Sequence, residues 1–551
     1  MTIINSAASK AFTPTPASIP PDNVQLTQIT PKSTPKVYQN PLGFLLRAAQ
    51  IYPDKLAIAH PDVPHPAFYS YSVWCQRVQN LAYALLEAGI KPGDRVAIIA
   101  PNTPMIADAH FGVLAARAII TPINTRLKQS EVSYILEHSR ARLIICDYEY
   151  QHLVDGAAIP LIICNDTGRH GDPYEDFLLS GRRFSREQGW PGLESETDEN
   201  VGAVLCYTSG TTGRPKGVIT TLRGSYLAGI ANAFEGQINR DSSYLWILPM
   251  FHAAGWTYPW ANVFAFSTQI TLRTVNYTLI WKHFLHSGVT HYCGAPTVQI
   301  GIVNDPDARK LPRPITAIIA GAAPTAHLIG ELEKKGISPV HVYGLTETYG
   351  PFTRNYFQPS WTTLSLEARS KLMARQGHAF ATAEGIRVVR PPEDPDNIDY
   401  GADLIDVPRD GKTVGEIVTR GNIVMKEVSR RFLSLYTFLT RLTMSFRTHR
   451  SISETSKPRR RHSVEAGSTR ETLPSCIQMV QSPLWIVVRT SSFPVARYVH
   501  RLRMMNTILT SRRTPRVWPS NKVRCLTSFS LPLPDKLAAA TSRARKPPAY
   551  S

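Results

Sequence analysis

Between residues 40 and 427 the chain alternates short apolar strands with helical segments, and this alternation limits the fold more than any other feature. Trp74–Ala88 carries apolar residues at helical spacing and stops at Gly89. The turn Lys91-Pro92-Gly93-Asp94 leads into a strand at Val96–Ala100. A helix over Ala107–Ala116 and a strand at Ala118–Ile120 follow, then a helix over Ser130–His138, with Ser130 as its cap and Glu131 in its first turn. Leu143–Cys146, Leu161–Cys164, Ala203–Cys206, Tyr244–Leu248, Ile315–Ala320 and Val340–Tyr343 read as buried strands, with helices near Leu279–His286 and Ala326–Lys335. Such a pattern predicts an α/β fold with mostly parallel sheets and helices on both faces. In such folds ligands bind beyond the carboxyl ends of the strands.

A chain of 551 residues has room for more than one domain. No apolar run reaches the length of a membrane span, and the N-terminus lacks the apolar core of a signal peptide. Residues 1–36 are rich in Ser, Thr and Pro and contain no Arg, which predicts a disordered arm and argues against a transit peptide. The seven cysteines are scattered without a CxxC pair, which argues against a zinc site or a disulfide framework and suits a reducing compartment. The net charge of +19 is confined to the last stretch: Val428–Ser551 holds 23 Lys/Arg and 4 Asp/Glu, whereas residues 1–427 balance at 38 of each.

The chemistry concentrates first in Tyr207–Val218, which follows a buried strand and packs three glycines, four hydroxyls and a lysine into one loop. Thr208, Ser209, Gly210, Thr211, Thr212, Gly213 and Lys216 can present backbone N–H groups, hydroxyls and a cation to a polyphosphate. The spacing is not that of a P-loop, and a Gly/Ser/Thr run can also be a solvated surface loop. At these residues the chain resembles the adenylate-forming, acyl-activating enzymes, which include acyl-CoA synthetases, aryl-CoA ligases, luciferases and peptide-synthetase adenylation domains. The resemblance extends to Val342–Thr348, where it implies that Tyr343 stacks on adenine, that Gly344 and Thr346 line the nucleotide site, and that Glu347 helps hold Mg²⁺. It also covers Leu248–Trp256, where His252 would border the substrate carboxylate and the acyl pocket. Gly321, Ala322, Ala323 and Pro324 match the segment that lets backbone approach a flat ring. Val414–Gly421 is similar to the strand leading toward a ribose-binding aspartate, and Asn124–Leu127 fits a further family segment without an assigned role.

The resemblance implies a large N-terminal adenylate-forming domain at 37–427, with ATP, Mg²⁺ and CoA as cofactors and a small carboxylic acid as substrate. It looks closest to plant and fungal ligases for medium-chain or aromatic acids, enzymes of fatty-acid or secondary metabolism. The family continues with a Thr-Gly-Asp segment, a hinge and a small mobile domain, none of which follows Glu427. The last 124 residues are therefore not expected to fold as that domain.

Three readings of 428–551 stand. Lys457-Pro458-Arg459-Arg460-Arg461 suggests a nucleic-acid-binding or nuclear-targeting tail; the composition suits a solvated disordered extension; or the tail is translated out of frame. The genetic code favours the third. A frame offset by two bases can read FRGGWFNTGDLAVMHPDG from His462 to Val480, VDRGKDIIISGGE from Leu484 to Arg497, and NASSLAIEQ from Arg513 to Lys522. These are the missing ribose motif, hinge and domain start in order. Val428-Ser429 and Tyr498-Val499 can each be encoded by a 5′ splice-site sequence, which implies retained introns in a eukaryotic gene. On this reading no nucleic-acid partner is expected. The alternative to a ligase is a truncated, non-catalytic nucleotide- or acyl-binding protein. Cytoplasm or peroxisome is the expected location, and oligomeric state is not legible.

Overall fold

The β-branched and apolar runs of the sequence become three sheets, of nine, seven and four strands, in the computed structural model. It describes residues 38–208, 214–383, 385–391, 404–410 and 413–429, together with Ile4, 15–19, 478–480 and 485–488. Two units are distinguished, Met1–Ile386 with Thr419–Cys476 and Arg387–Val418 with Ile477–Ser551.

In the first unit a seven-stranded sheet runs in the order Glu427–Ser429, Lys216–Thr221, Gly202–Thr208, Ile119–Pro122, Arg95–Ile99, Ala141–Asp147 and Leu161–Cys164. The five strands from Gly202–Thr208 onward are parallel. The nine-stranded sheet runs His378–Ala379, Gly350–Arg354, Ile337–Leu345, Ile315–Ile319, His291–Gly294, Ser243–Trp246, Thr268–Thr271, Leu56–His60 and Ala67–Ser70. Its six central strands are parallel and its outer ones antiparallel. The expected α/β class is thus the observed one. Parallel strands are buried on both faces, which is why Val96–Ile99 and Ile144–Cys146 lie at no solvent exposure.

The helix predicted at Trp74–Ala88 spans Tyr71–Glu87; Ser70 caps it by accepting from the Val73 N–H at 3.3 Å, and Gly89 ends it at φ +82°. Among the described residues no helix is long and apolar enough to cross a membrane.

Two expectations need correction. Ser130 is not a cap: the helix spans Gln129–Ser139 with Lys128 as N-cap, whose N–H donates to Glu131 Oε2 at 2.8 Å. The signal that decides the start is the carboxylate three residues on, not the hydroxyl.

The arm is not disordered throughout. Pro16–Ser18 forms a 3-10 turn, and Thr15, Ala17 and Ser18 are buried. The turn is held by charge. Arg77 pairs with both Asp108 and Glu175, donates to Ser18 Oγ at 2.7 Å, and lies over the Tyr69 ring at 4.5 Å. Thr15 Oγ1 donates to Glu175 Oε2 at 2.9 Å and Asn80 Nδ2 to the Ala17 carbonyl at 2.8 Å. Composition misses such a strap because its partners lie far along the chain.

Two short parts of the tail are among the described residues. Glu427–Ser429 pairs with Lys216–Thr221, and Gln478–Val480 pairs antiparallel with Trp485–Val488. The remaining residues of the tail lie outside those described, including the basic run at Lys457–Arg461. In the second unit Val389 and Val418 are buried with Leu404 against them, and Arg387 donates to Asp406 Oδ1 at 2.8 Å.

Candidate functional site

The glycine-rich segment joins two antiparallel strands. Gly202–Thr208 runs out and Lys216–Thr221 returns, with Thr208 opposite Lys216 and Tyr207 opposite Gly217. Lys216 is therefore the first residue of a strand rather than part of the loop, and both it and Thr208 are half-buried. Ser209, Gly210, Thr211, Thr212 and Gly213 lie outside the described residues.

The other expected residues cluster where parallel strands of the nine-stranded sheet end. After Ser243–Trp246 the chain turns at Pro249–His252, with the His252 N–H donating to the Pro249 carbonyl at 3.1 Å. Asn102 holds this turn, donating to the Trp246 and Leu248 carbonyls at 3.0 and 3.1 Å and accepting from the Met250 N–H at 2.7 Å. Sequence reasoning did not find Asn102, because nothing local marks a side chain that acts on a strand 144 residues away. His252 is solvent-exposed. Desolvation lowers its pKa, and the Arg126 charge lowers it further, which favours the neutral imidazole.

The next residues, Gly255, Trp256 and Thr257, are all left-handed, at φ +60°, +52° and +67°. Non-glycine residues in that region carry strain and persist only where packing over-determines them. Trp256 is buried, and it lies against Gly321, in another segment singled out from sequence, and against Gly350, two residues past a third. A Cβ at Gly321 would lie 3.8 Å from the Trp256 ring, and one at Gly350 3.3 Å from the Trp256 backbone. Trp256 had been placed in a pocket-wall segment, but its central position was not expected.

Gly321, Ala322 and Ala323 are exposed at the end of Ile315–Ile319, whereas Pro324 is buried. Tyr343 and Gly344 lie in the strand Ile337–Leu345, and Thr346–Thr348 is a 3-10 turn. Tyr343 is half-buried with its ring 5.4 Å from Phe352. Gly344 has no room for a side chain: a Cβ would meet the Gly350 carbonyl at 2.0 Å. Thr348 Oγ1 accepts from the Leu345 N–H at 2.9 Å and donates to the Gly350 carbonyl at 2.9 Å, which fixes the turn.

Glu347 is buried at 9 % exposure, and its carbonyl accepts from the Met425 N–H at 2.8 Å. Burial raises its pKa; its own backbone amide and the Lys216 charge pull the other way. Lys216, on the other sheet, thus lies near enough for its charge to act on the Glu347 carboxyl. Among the described residues no group of three or more His, Cys, Asp or Glu side chains could hold a metal ion. One buried carboxylate fits a hard cation that takes its other oxygens from water and substrate phosphates, as Mg²⁺ does, and not a cage made by protein alone.

The family described as AMP-binding enzyme matches residues 45–428. The chain is 36% identical over 413 residues to the peroxisomal acetate/butyrate–CoA ligase AAE7 of Arabidopsis thaliana, covering 70% of this chain and 69% of that one. It is 34% identical over 395 residues to 4-hydroxybutyrate–CoA ligase 2 of Metallosphaera sedula, with the same coverage. Among solved structures, the N-terminal domain of FACL13 from Mycobacterium tuberculosis superposes with a TM-score of 0.57 at 24% identity, over 71% of this chain and 92% of that one. ATP-bound MatB from Rhodopseudomonas palustris gives 0.60 at 20% identity, over 73% and 74%. With its strand-end residues in place and a match over most of its length, the chain belongs to the AMP-binding enzyme family.

Proposed function

We propose that this chain is an AMP-forming acid–thiol ligase that activates a small carboxylic acid with ATP and passes the acyl group to CoA. The single observation that supports the proposal is that Lys216 and the buried Glu347 stand at the ends of strands from two sheets, near enough for the lysine charge to act on the carboxyl. In the first step a carboxylate oxygen bonds to the α-phosphorus of ATP, and the bond to the bridging oxygen breaks as pyrophosphate leaves. Two anions must approach, so neutralising their charge is the main task of the site. Lys216, Thr208 and the segment Ser209–Gly213 hold the phosphates. Glu347 would hold Mg²⁺, which supplies further neutralisation of the phosphate oxygens. Tyr343 stacks on adenine, Gly321–Pro324 and Gly344 let backbone approach it, and Thr346 lines the same site. His252, neutral near pH 7, hydrogen-bonds the substrate carboxylate. In the second step the CoA thiol sulfur attacks the acyl carbon, AMP leaves, and the thiol proton passes to solvent.

The acid is a short-chain, medium-chain or aromatic one. Acetate, butyrate and 4-hydroxybutyrate are named in relatives, and small residues line the exposed strand end at Gly321–Ala323. A fungal or plant-like peroxisomal or cytoplasmic enzyme fits the peroxisomal relative. Carboxylate-dependent ATP–pyrophosphate exchange across a panel of acids tests the proposal, and the preferred acid names the substrate.

Residues 428–551 are, on this account, read out of frame, since the family match ends at residue 428 where the excess of positive charge begins. Sequencing the native transcript across codons 420–525 tests this: removal of intervening sequence restores the ribose and hinge motifs. A transcript identical to the present reading would favour a nucleotide-binding protein without turnover.

A further inference from the structure

The helix Gln129–Ser139 stands beside the hairpin that carries Lys216, and it presents Tyr134 and His138 four residues apart on one face. Their rings lie 5.4 Å apart at 31°. His138 Nδ1 shares a hydrogen bond with the Tyr207 hydroxyl at 2.8 Å, and the two rings meet edge to face at 5.7 Å. Tyr207 belongs to the outgoing strand, and its ring lies across Gly217, where a Cβ would come within 3.4 Å of ring Cζ. On the returning arm the Arg214 guanidinium sits 5.2 Å over the Tyr134 ring. One helix face therefore grips both arms of the hairpin, and Lys216 lies between the two gripped points, Arg214 before it and Gly217 after it.

We infer that Tyr134, His138 and Arg214 are positioning residues that fix where Lys216 meets the β- and γ-phosphates of ATP. The inference rests on the proposed ligase reading. Arg214 is exposed, so its stacking contact is not needed to fill the core. What the contact does is set the direction of the chain entering Lys216. An arginine stacked on tyrosine is geometrically specific in a way that a solvated cation is not. The Tyr134 ring needs no hydroxyl for this role, whereas the His138–Tyr207 bond anchors the opposite arm.

The test is equilibrium binding of Mg-ATP and of AMP to the full chain, with thermal midpoints measured alongside. Arg214→Ala and Tyr134→Ala should weaken ATP about three- to five-fold, the worth of one exposed cation–π contact, and leave AMP unchanged. Tyr134→Phe should keep ATP binding, Arg214→Lys, which loses the planar stack, should not restore it, and His138→Ala should act as Tyr134→Ala does. Thermal midpoints of the Arg214 variants should match the parent. Equal losses for ATP and AMP, or no loss in Arg214→Ala, would overturn the inference. Lys216→Ala separates the two levels. If it removes the advantage of ATP over AMP while Arg214→Ala and Tyr134→Ala are silent, the clamp is wrong and the ligase reading stands. If Lys216→Ala is itself silent, both fall.

Discussion

Lys216 opens a strand of the seven-stranded sheet, Glu347 lies in the turn that ends a strand of the nine-stranded sheet, and the ammonium of the first draws down the carboxyl pKa that burial of the second raises. A buried carboxylate is costly unless a cation faces it. On the proposed reading, Mg²⁺ would be a second cation facing this carboxylate.

The glycines of the site differ in what they protect. Gly321 has φ +82°, and a Cβ there would make only ordinary contacts, 3.8 Å from the Trp256 ring and 3.9 Å from Ala295 Cβ, so Gly321→Ala should cost about 1 kcal/mol of stability. Gly344→Ala would drive a methyl onto the Gly350 carbonyl and should cost about 3 kcal/mol. Thermal unfolding of the two variants checks the order. An equal loss would contradict the packing at Gly344.

The N-terminal strap should stabilise the protein measurably. Arg77→Met leaves Asp108 and Glu175 buried without their cation and should cost about 3–5 kcal/mol. Ser18→Ala removes one acceptor of Arg77 and should cost about 1–2 kcal/mol. Denaturant midpoints for both, beside a chain lacking residues 1–19, measure the strap. A truncation indistinguishable from the parent would show that Thr15–Ser18 adds nothing.

Acid should destabilise the fold through buried histidines. His110, His291 and His341 each have their pKa pushed down to about 4 by burial. A histidine whose folded pKa is depressed adds stability that is complete above its unfolded value and is lost as pH falls toward the folded one. Between pH 6.5 and 5 each contributes a loss on the order of 2 kcal/mol. His110→Phe keeps the edge-to-face contact with Trp260, so its stability should fall less over that range. An unchanged pH slope would remove His110 from the account.

Much of this was legible in the sequence because parallel strands announce themselves as short β-branched runs. Leu161–Cys164 has the bounds read from the sequence, and most other strands shift by a residue or two. The motif residues were found because each follows such a strand. What was missed depends on distant contacts. The strand Lys216–Thr221 hides because its partner, not its own pattern, makes it a hairpin arm. Thr15–Ser18 looks unstructured until Arg77 is placed beside it, and the strained backbone at Trp256 answers to Gly321 and Gly350, which lie far along the chain.

The most direct measurement is carboxylate-dependent ATP–pyrophosphate exchange by the protein encoded by the native spliced transcript, run beside Lys216→Ala and Glu347→Gln with nucleotide binding measured on the same samples. The account predicts exchange in the parent that falls about 100-fold or more in each variant, as expected when a group that stabilises the transferring phosphoryl charge is removed. Nucleotide binding without exchange for any acid, or exchange indifferent to Lys216 and Glu347, would contradict it.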